Sequence, residues 1–415
     1  MNKPNPNPEP AVNTPKIVIS ADIGGSETKA IAQIYPSGVP IVLAMPPEIA
    51  DVSKTSVARF VPNSYNTSIW VGMGDEYYVL GALAKSVFAG TSALRDLKSH
   101  YALPKLAALL WLACRQFQFD TNNIDAFIQV LMPPGEISNA HNLGKKLGQS
   151  LNRGIVTPTN KLKGKLRNFH VAPEGSGIMI YRSRTLAASY TQKNIGLLML
   201  GYRNASFVLS QKGNPALAET TDLGMNWLVQ QFVQRTAVGL SKEDEHLVTA
   251  IIAAGKGNFE PLRSLSRQAT PEGVSADLKL FQNILPEVRS DYCRALVRWI
   301  RNIPSLDEIL ICGGTADFVK KELTDHFQNE GIPIVWNGGV QFPAPLDTKG
   351  LGERVADVWT AHITYILMLD KNFAYDRKQD LVPDPNKPRL STPTSGLAQL
   401  REYAKKREAE QPLNS

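Results

Sequence analysis

Cysteine is scarce: Cys114, Cys293 and Cys312 are the only three in 415 residues, and none stands in CxxC spacing. That argues against a disulfide scaffold or a thiolate zinc site. Each lies in apolar sequence, so the expectation is buried free thiols in a reducing compartment. The six histidines are equally dispersed and suggest no metal cage. Long apolar runs are missing too. The best helical candidate of that kind, LAALLWLAC at 106–114, falls far short of the roughly 20 residues that cross a bilayer. The opening MNKPNPNPEPAVNTP puts Pro and Asn where a signal peptide needs an apolar stretch. A cytoplasmic protein without a transmembrane segment is expected.

Acid is missing from residues 137–173, where Lys145, Lys146, Arg153, Lys161, Lys163, Lys165 and Arg167 all fall. The net charge of +7 is small for this length, so composition alone favours acidic partners only weakly. In KLKGKLRNFHV, at 161–171, the charges alternate with Leu162 and Leu166. That is the period of a strand with one basic face, which is either a solvated surface or a contact for an acidic partner. No helix-turn-helix signal accompanies it, so sequence-specific nucleic-acid binding is not expected.

What is present is a set of strand, glycine turn and strand or helix units. IVISADIGGSETKAIAQIY at 17–35 and IGLLMLGYRNASFVLSQ at 195–211 each read as an apolar strand, a small turn and a returning strand. They open the two halves of the chain, and as a repeat they predict two βββαβα-like halves whose turns face one cleft. TSIWVGMGDEYYVLG reads as a further hairpin with Gly-Asp at its tip. Pro104 is placed at the start of a helix, DAFIQVLMP at 125–133 is a buried strand, and 139–150 suits another helix. Helical stretches follow at about 222–236, 241–254 and 276–301, the last kinked near Pro286. DEILICGGTADFVKKEL at 307–323 gives strand, Gly-Gly turn and helix. The first 15 residues form a Pro-rich tail. Residues 371–415 are a Pro-rich linker with a short basic helix carrying Leu397, Leu400 and Tyr403.

In DIGGSETK, Gly24 and Gly25 let backbone amides approach an anion, Ser26 and Thr28 add hydroxyls, and Lys29 neutralises phosphate charge. Asp22 at the strand end suits a hydrated magnesium ion. In ICGGTA, Gly313 and Gly314 leave a side-chain-free backbone against which a flat base can lie.

These motifs, in this order, resemble the actin, Hsp70 and sugar-kinase superfamily, and most closely its bacterial actin-like ParM/StbA family. The resemblance covers about residues 16–368. It implies an α/β, actin-like (ribonuclease H-like) fold of two duplicated domains around a nucleotide cleft. Domain I would be 16–190, domain II 191–352, and 353–370 a helix returning to domain I. Asp22 to Lys29 match the family's first phosphate motif, with Asp22 as the magnesium residue. Glu174 in VAPEGSG is the counterpart of the residue that positions attacking water. Gly201, Tyr202, Arg203 and Asn204 stand at the second phosphate motif, Gly313, Gly314 and Thr315 at the adenosine motif, and GERVADVWT at the returning helix.

One departure matters. The family begins its second phosphate motif with Asp and ends it with another, whereas this chain has Met199 and Ser206 there. A thioether cannot orient metal-bound water as a carboxylate does, so slow or absent hydrolysis is expected, with Arg203 replacing part of the lost metal contact. The implied cofactors are ATP or GTP with Mg. The implied partners are further copies of the chain in a filament, and either a DNA-bound adaptor or an envelope-associated protein. The alternative is a small-molecule (sugar) kinase, but those families usually carry an Asn-Asp pair in mid-chain and none occurs here. A non-catalytic DNA-binding module acting through 145–167 is the third reading.

Overall fold

The computed structural model describes residues 14–378 except 59, 61–68, 93–96, 141, 243, 302 and 304. Most of the expected N-terminal tail and the C-terminal segment with Leu397, Leu400 and Tyr403 lie outside the described residues.

β1 (Lys16–Ile23), β2 (Thr28–Ile34) and β3 (Ile41–Met45) form an antiparallel meander. β4 (Ile49–Val52), α1 (Lys54–Ala58), β5 (Ile69–Met73), β6 (Glu76–Leu80) and α2 (Gly81–Val87) come next. Then follow α3 (Lys98–Gln116), β7 (Ile124–Met132) and α4 (Leu143–Arg153). β8 (Ile155–Val156), β9 (Lys161–Leu162), β10 (Gly164–Pro173) and α5 (Ser176–Leu186) close the first half. The second half opens with its own meander, β11 (Asn194–Leu200), β12 (Ala205–Gln211) and β13 (Asn214–Thr221). It continues through α6 (Met225–Thr236), α7 (Glu245–Gly255), α8 (Glu260–Arg263) and α9 (Pro271–Ile300). It ends with β14 (Glu308–Cys312), α10 (Lys320–Asn329), β15 (Ile334–Trp336) and α11 (Ala356–Asn372).

Two of the sheets repeat one plan. The first has the order β10-β7-β1-β2-β3 and the second β13-β12-β11-β14-β15. In each, an antiparallel meander supplies the first three strands, and two later strands add in parallel beside the first of them. Every residue of β7 and β14 is buried, which is why both are mostly apolar with no two-residue alternation, broken only by Asp125, Gln129 and Glu308.

A third sheet, β4-β6-β5-β8-β9, has no counterpart among the described residues of the second half. The sequence showed only its central hairpin, turning at Gly74-Asp75. The basic strand is split between two sheets, with Lys161 on β9 and Lys165 and Arg167 on β10. Its alternation holds: Lys161, Lys163, Lys165 and Arg167 are exposed while Leu162 is buried. Arg167 also reaches Asp125 at 2.8 Å.

Helix α3 is buried between the first and third sheets and starts at Lys98, not at Pro104. Pro104 lies inside the helix and removes one backbone bond, but burial from Leu106 through Cys114 outweighs that loss. Helix α4 starts at Leu143, later than the 139 expected, because Pro134–Ala140 forms a 3-10 turn. Gly144 and Gly148 let α4 lie close on Phe169 and Leu166.

Helices α5 and α11 pack on each other. Ile178 and Met179 of α5 sit against Leu197 and Leu310 of the second sheet, while α11 lies on β1 and β2 of the first. His362 of α11 is pinned there, its ring nitrogens 3.2 Å from Ser20 Oγ and 3.1 Å from Gln33 Oε1. Burial holds its pKa down to about 3, so the ring is neutral. The three cysteines are buried free thiols, as expected.

Candidate functional site

The duplicated plan puts two equivalent hairpin turns at one cleft. In the first, Ile23 pairs with Thr28 and Asp22 with Lys29, closing a turn of residues 24–27. In the second, Leu200 pairs with Ala205 and Met199 with Ser206, closing 201–204. Asp22 and Met199 therefore hold the same place, as do Lys29 and Ser206. Residues of both turns line a cleft of about 860 Å³, counting its open mouth. The first hairpin brings an Asp–Lys pair to it; at the matching strand positions the second has Met199 and Ser206, and its charge is Arg203 in the turn.

Gly24 is needed for tightness, since a Cβ there would come 2.6 Å from the Glu27 carbonyl oxygen. In the third loop Gly313 has φ of 103°, and a Cβ would lie 2.3 Å from the Leu200 carbonyl oxygen. Only glycine suits that position. Thr315 donates from its amide to Leu200 O at 3.1 Å and from its hydroxyl to Gly201 O at 2.9 Å, which locks the third loop onto the second turn. Both Gly313 and Gly314 line the cleft, and the Cβ direction of Gly314 opens toward Arg354 and Ser26.

The charges converge on one lysine. Lys98, at the start of α3, lies 3.1 Å from Asp22 Oδ1 and makes an ion pair with Glu174. Lys29 lies 2.8 Å from Asp22 Oδ2 and donates to the Arg354 carbonyl at 3.1 Å. Burial alone would raise the Asp22 carboxyl, but the two ammonium groups outweigh it and hold Asp22 well below the usual carboxylate range. The same contacts push Lys98 above its ordinary value against its own burial. Glu174, 6% exposed, moves the other way. Its burial raises it, the Lys98 ammonium opposes that, and repulsion from the nearby Asp22 charge adds to it.

Glu136 ties the two halves together. Its carboxylate accepts from the Lys98 amide at 2.7 Å and pairs with Arg203 of the second turn. Arg203 lines the cleft, and Glu136 holds its guanidinium through one terminal nitrogen. Arg354 reaches Ser26 Oγ at 3.1 Å, and its Nε is buried without a partner.

Asp357, at the start of α11, accepts from the Gly175 amide at 2.7 Å, while its other oxygen is buried without a partner. Burial pushes its pKa from 3.8 up to about 7, with the Asp22 and Glu174 charges adding and the Gly175 amide opposing. A carboxyl raised on folding contributes stability that is complete below its unfolded pKa and is lost as pH rises through the folded one. The window here runs from about 4 to 7. Asp357→Asn keeps an acceptor for Gly175, so it should flatten the loss of stability across that window. Urea midpoints at pH 5 and pH 8 measure this, and equal slopes for both proteins would refute it.

Of the residues expected at the site, Asp22, Gly24, Gly25, Ser26, Lys29, Glu174, Gly201, Tyr202, Arg203, Asn204, Gly313 and Gly314 line the cleft. Thr28 and Thr315 do not; both are buried, Thr28 with its hydroxyl unbonded. Sequence reasoning missed Lys98, Lys105, Glu136 and Arg354. The spacing of Lys98, Tyr101 and Lys105, at i, i+3 and i+7 on an otherwise apolar helix, was the available signal.

The donor set suits a magnesium ion carried on phosphate better than a protein-built metal cage. Asp22 and Glu174 are the converging carboxylates, and among the described residues no group of three or more His, Cys, Asp or Glu side chains could hold an ion. Magnesium bound to nucleotides usually takes one or two carboxylates and keeps its waters. The orphaned Arg354 Nε suits an anionic or polar ligand in the same cleft.

No family model matches the sequence, and no curated protein matches it. Solved structures do. The chain is similar to a 15-stranded ParM filament from Clostridium botulinum, at 16% identity over 86% of this chain and 99% of that one, with a TM-score of 0.53. It is similar to the archaeal actin homologue Ta0583, at 14% identity over 86% and 99%, with a TM-score of 0.53. An Alp12 filament gives 14% over 85% and 99%, with a TM-score of 0.51. At such identities the likeness establishes the fold: the chain has the actin-like α/β fold. No described helix is long and apolar enough to cross a membrane.

Proposed function

We propose that this chain is an actin-like protein that binds ATP or GTP in the cleft and polymerises head to tail. The observation that carries the reading is the pair of equivalent turns, 24–27 and 201–204, lining one cleft with Glu174. Backbone turns of this kind cradle phosphates, and Lys29 and Lys98 supply compensating charge. Gly314 would lie beside the base and sugar, with Arg354 between it and Ser26 of the first turn. Asp22 is placed to hold, through water, a magnesium ion that neutralises charge on the phosphates. Glu174 orients the attacking water once Lys98 turns from it toward the nucleotide.

The nucleotide bridges the lobes 16–190 and 191–352, so it favours one closure between them, and filament contacts follow that closure. Head-to-tail contacts are heterologous and do not close, which extends the polymer. The solved filaments that share the fold support this step. The second hairpin, with Met199 and Ser206, makes hydrolysis slow, and slow hydrolysis suits a standing scaffold bound to an envelope-associated protein better than a rapidly cycling DNA-segregation filament with an adaptor.

Negative-stain microscopy with and without ATP or GTP, run beside phosphate release, tests the reading. Filaments that form with nucleotide and persist while little phosphate appears are expected. Single molecules at every concentration would overturn polymerisation, and filaments that shrink as nucleotide is consumed would overturn the scaffold.

A further inference from the structure

Helix α3 brings Lys98, Tyr101 and Lys105 to the cleft on one face. The two lysines are in opposite situations. Lys98 is answered by Asp22 and Glu174. Lys105 is 3% exposed, and among the described residues it has no hydrogen bond or ion pair.

Glu48 does not complete a pair with it. That carboxylate is 7% exposed, lies 4.0 Å from Lys85 through one oxygen, and has its other oxygen buried without a partner. A buried ammonium with no counter-ion in contact is unfavourable unless an anion answers it. Burial, with Lys98 adding and the more distant Glu48 charge opposing, lowers the Lys105 pKa only to about 8. The group is therefore charged at neutral pH. It faces a cleft already lined by two turns suited to phosphate, and it shares an electrostatic neighbour, Glu48, with Glu27 of the first turn.

We propose that Lys105 receives the terminal phosphoryl group in this cleft and makes the chain tell a nucleoside triphosphate from a diphosphate. The proposal rests on the nucleotide reading above. The third loop holds the base end, so the phosphate chain runs between the turns toward α3, where its last group meets Lys105. Free phosphate or pyrophosphate offers the same chemistry without a base.

Calorimetry with ATP, GTP, ADP, GDP, inorganic phosphate and pyrophosphate tests this on the full chain. The wild type is expected to prefer the triphosphate by about 10-fold or more, the scale of a charged hydrogen bond. Lys105→Met should bring that preference to within about twofold while diphosphate affinity holds. It should also melt at or above the wild-type temperature, because it removes an uncompensated buried charge. Lys105→Gln, read the same way, serves if the Met variant does not fold. A variant that keeps the triphosphate preference overturns the proposal, as does a wild type that binds both nucleotides equally. If the wild type takes up no nucleotide, the functional reading fails by itself. In that case pyrophosphate or phosphate uptake that disappears in the variant still supports the anion site, and no uptake of either overturns it.

Discussion

Met199→Asp is expected to speed phosphate release by about 10–100-fold over the wild type, the range that one positioned charge-stabilising group supplies in such reactions. Met199 occupies in the second hairpin the place Asp22 occupies in the first, each two residues before the turn glycine. It lines the cleft, and its Cε lies 3.4 Å from where a Cβ on Gly175, the neighbour of Glu174, would stand. A carboxylate there would give the second turn the charge it lacks, directly across the ladder from the Ser206 hydroxyl. Met199→Leu is the control, since it keeps an apolar side chain of similar volume and should leave the rate unchanged. Phosphate release from preformed filaments reads both. A wild type that already turns over rapidly, or an Asp variant no faster than wild type, would contradict the assignment of Met199 as the missing group.

Lys98→Met is expected to lower stability by about 3–5 kcal/mol at pH 7, the usual consequence of stripping one partner from buried charges. Asp22 and Glu174 both depend on that ammonium, while the Lys98 backbone amide that Glu136 accepts is unchanged in the variant. The effect should depend on pH in a defined direction. Asp22 is depressed by folding, so its contribution is complete above the ordinary Asp range, near pH 4, and is lost as pH falls through its folded value. Removing Lys98 removes much of that depression, so the gap between wild type and variant should be widest near neutrality and narrow in acid. Urea midpoints at pH 7 and at about pH 2.5, inside the window where Asp22 titrates, measure it. Equal midpoints at pH 7 would mean that Lys98 does not hold the two carboxylates.

Much of the fold was legible because its framework is written in local chemistry. Residues 22–29 and 199–206 read as hairpins from their glycines and flanking apolar runs, and both form with the register those turns impose. Buried parallel strands such as 124–132 declare themselves as mostly apolar sequence, here interrupted only by Asp125 and Gln129. Strand 214–221 does not, because it is an edge strand with mostly exposed residues and so carries no alternation. The third sheet was missed for a related reason, since β8 and β9 are two residues each and are held by partners far away in sequence. At the site, the backbone-built parts were visible and the side-chain network was not. Lys98 meets Glu174, and Glu136 meets Arg203, across separations of 76 and 67 residues. No spacing rule anticipates such contacts, because only the tertiary fold brings those residues together.

Titration calorimetry of the purified chain with ATP and with GTP, with magnesium present, addresses the cleft most directly. Saturable heat with at least one of them is predicted, lost or weakened at least 10-fold in a variant whose first turn is blocked by Gly24→Val, with the diphosphate competing. A folded wild-type protein that releases no heat with either nucleotide would contradict the reading of the paired turns as a phosphate site.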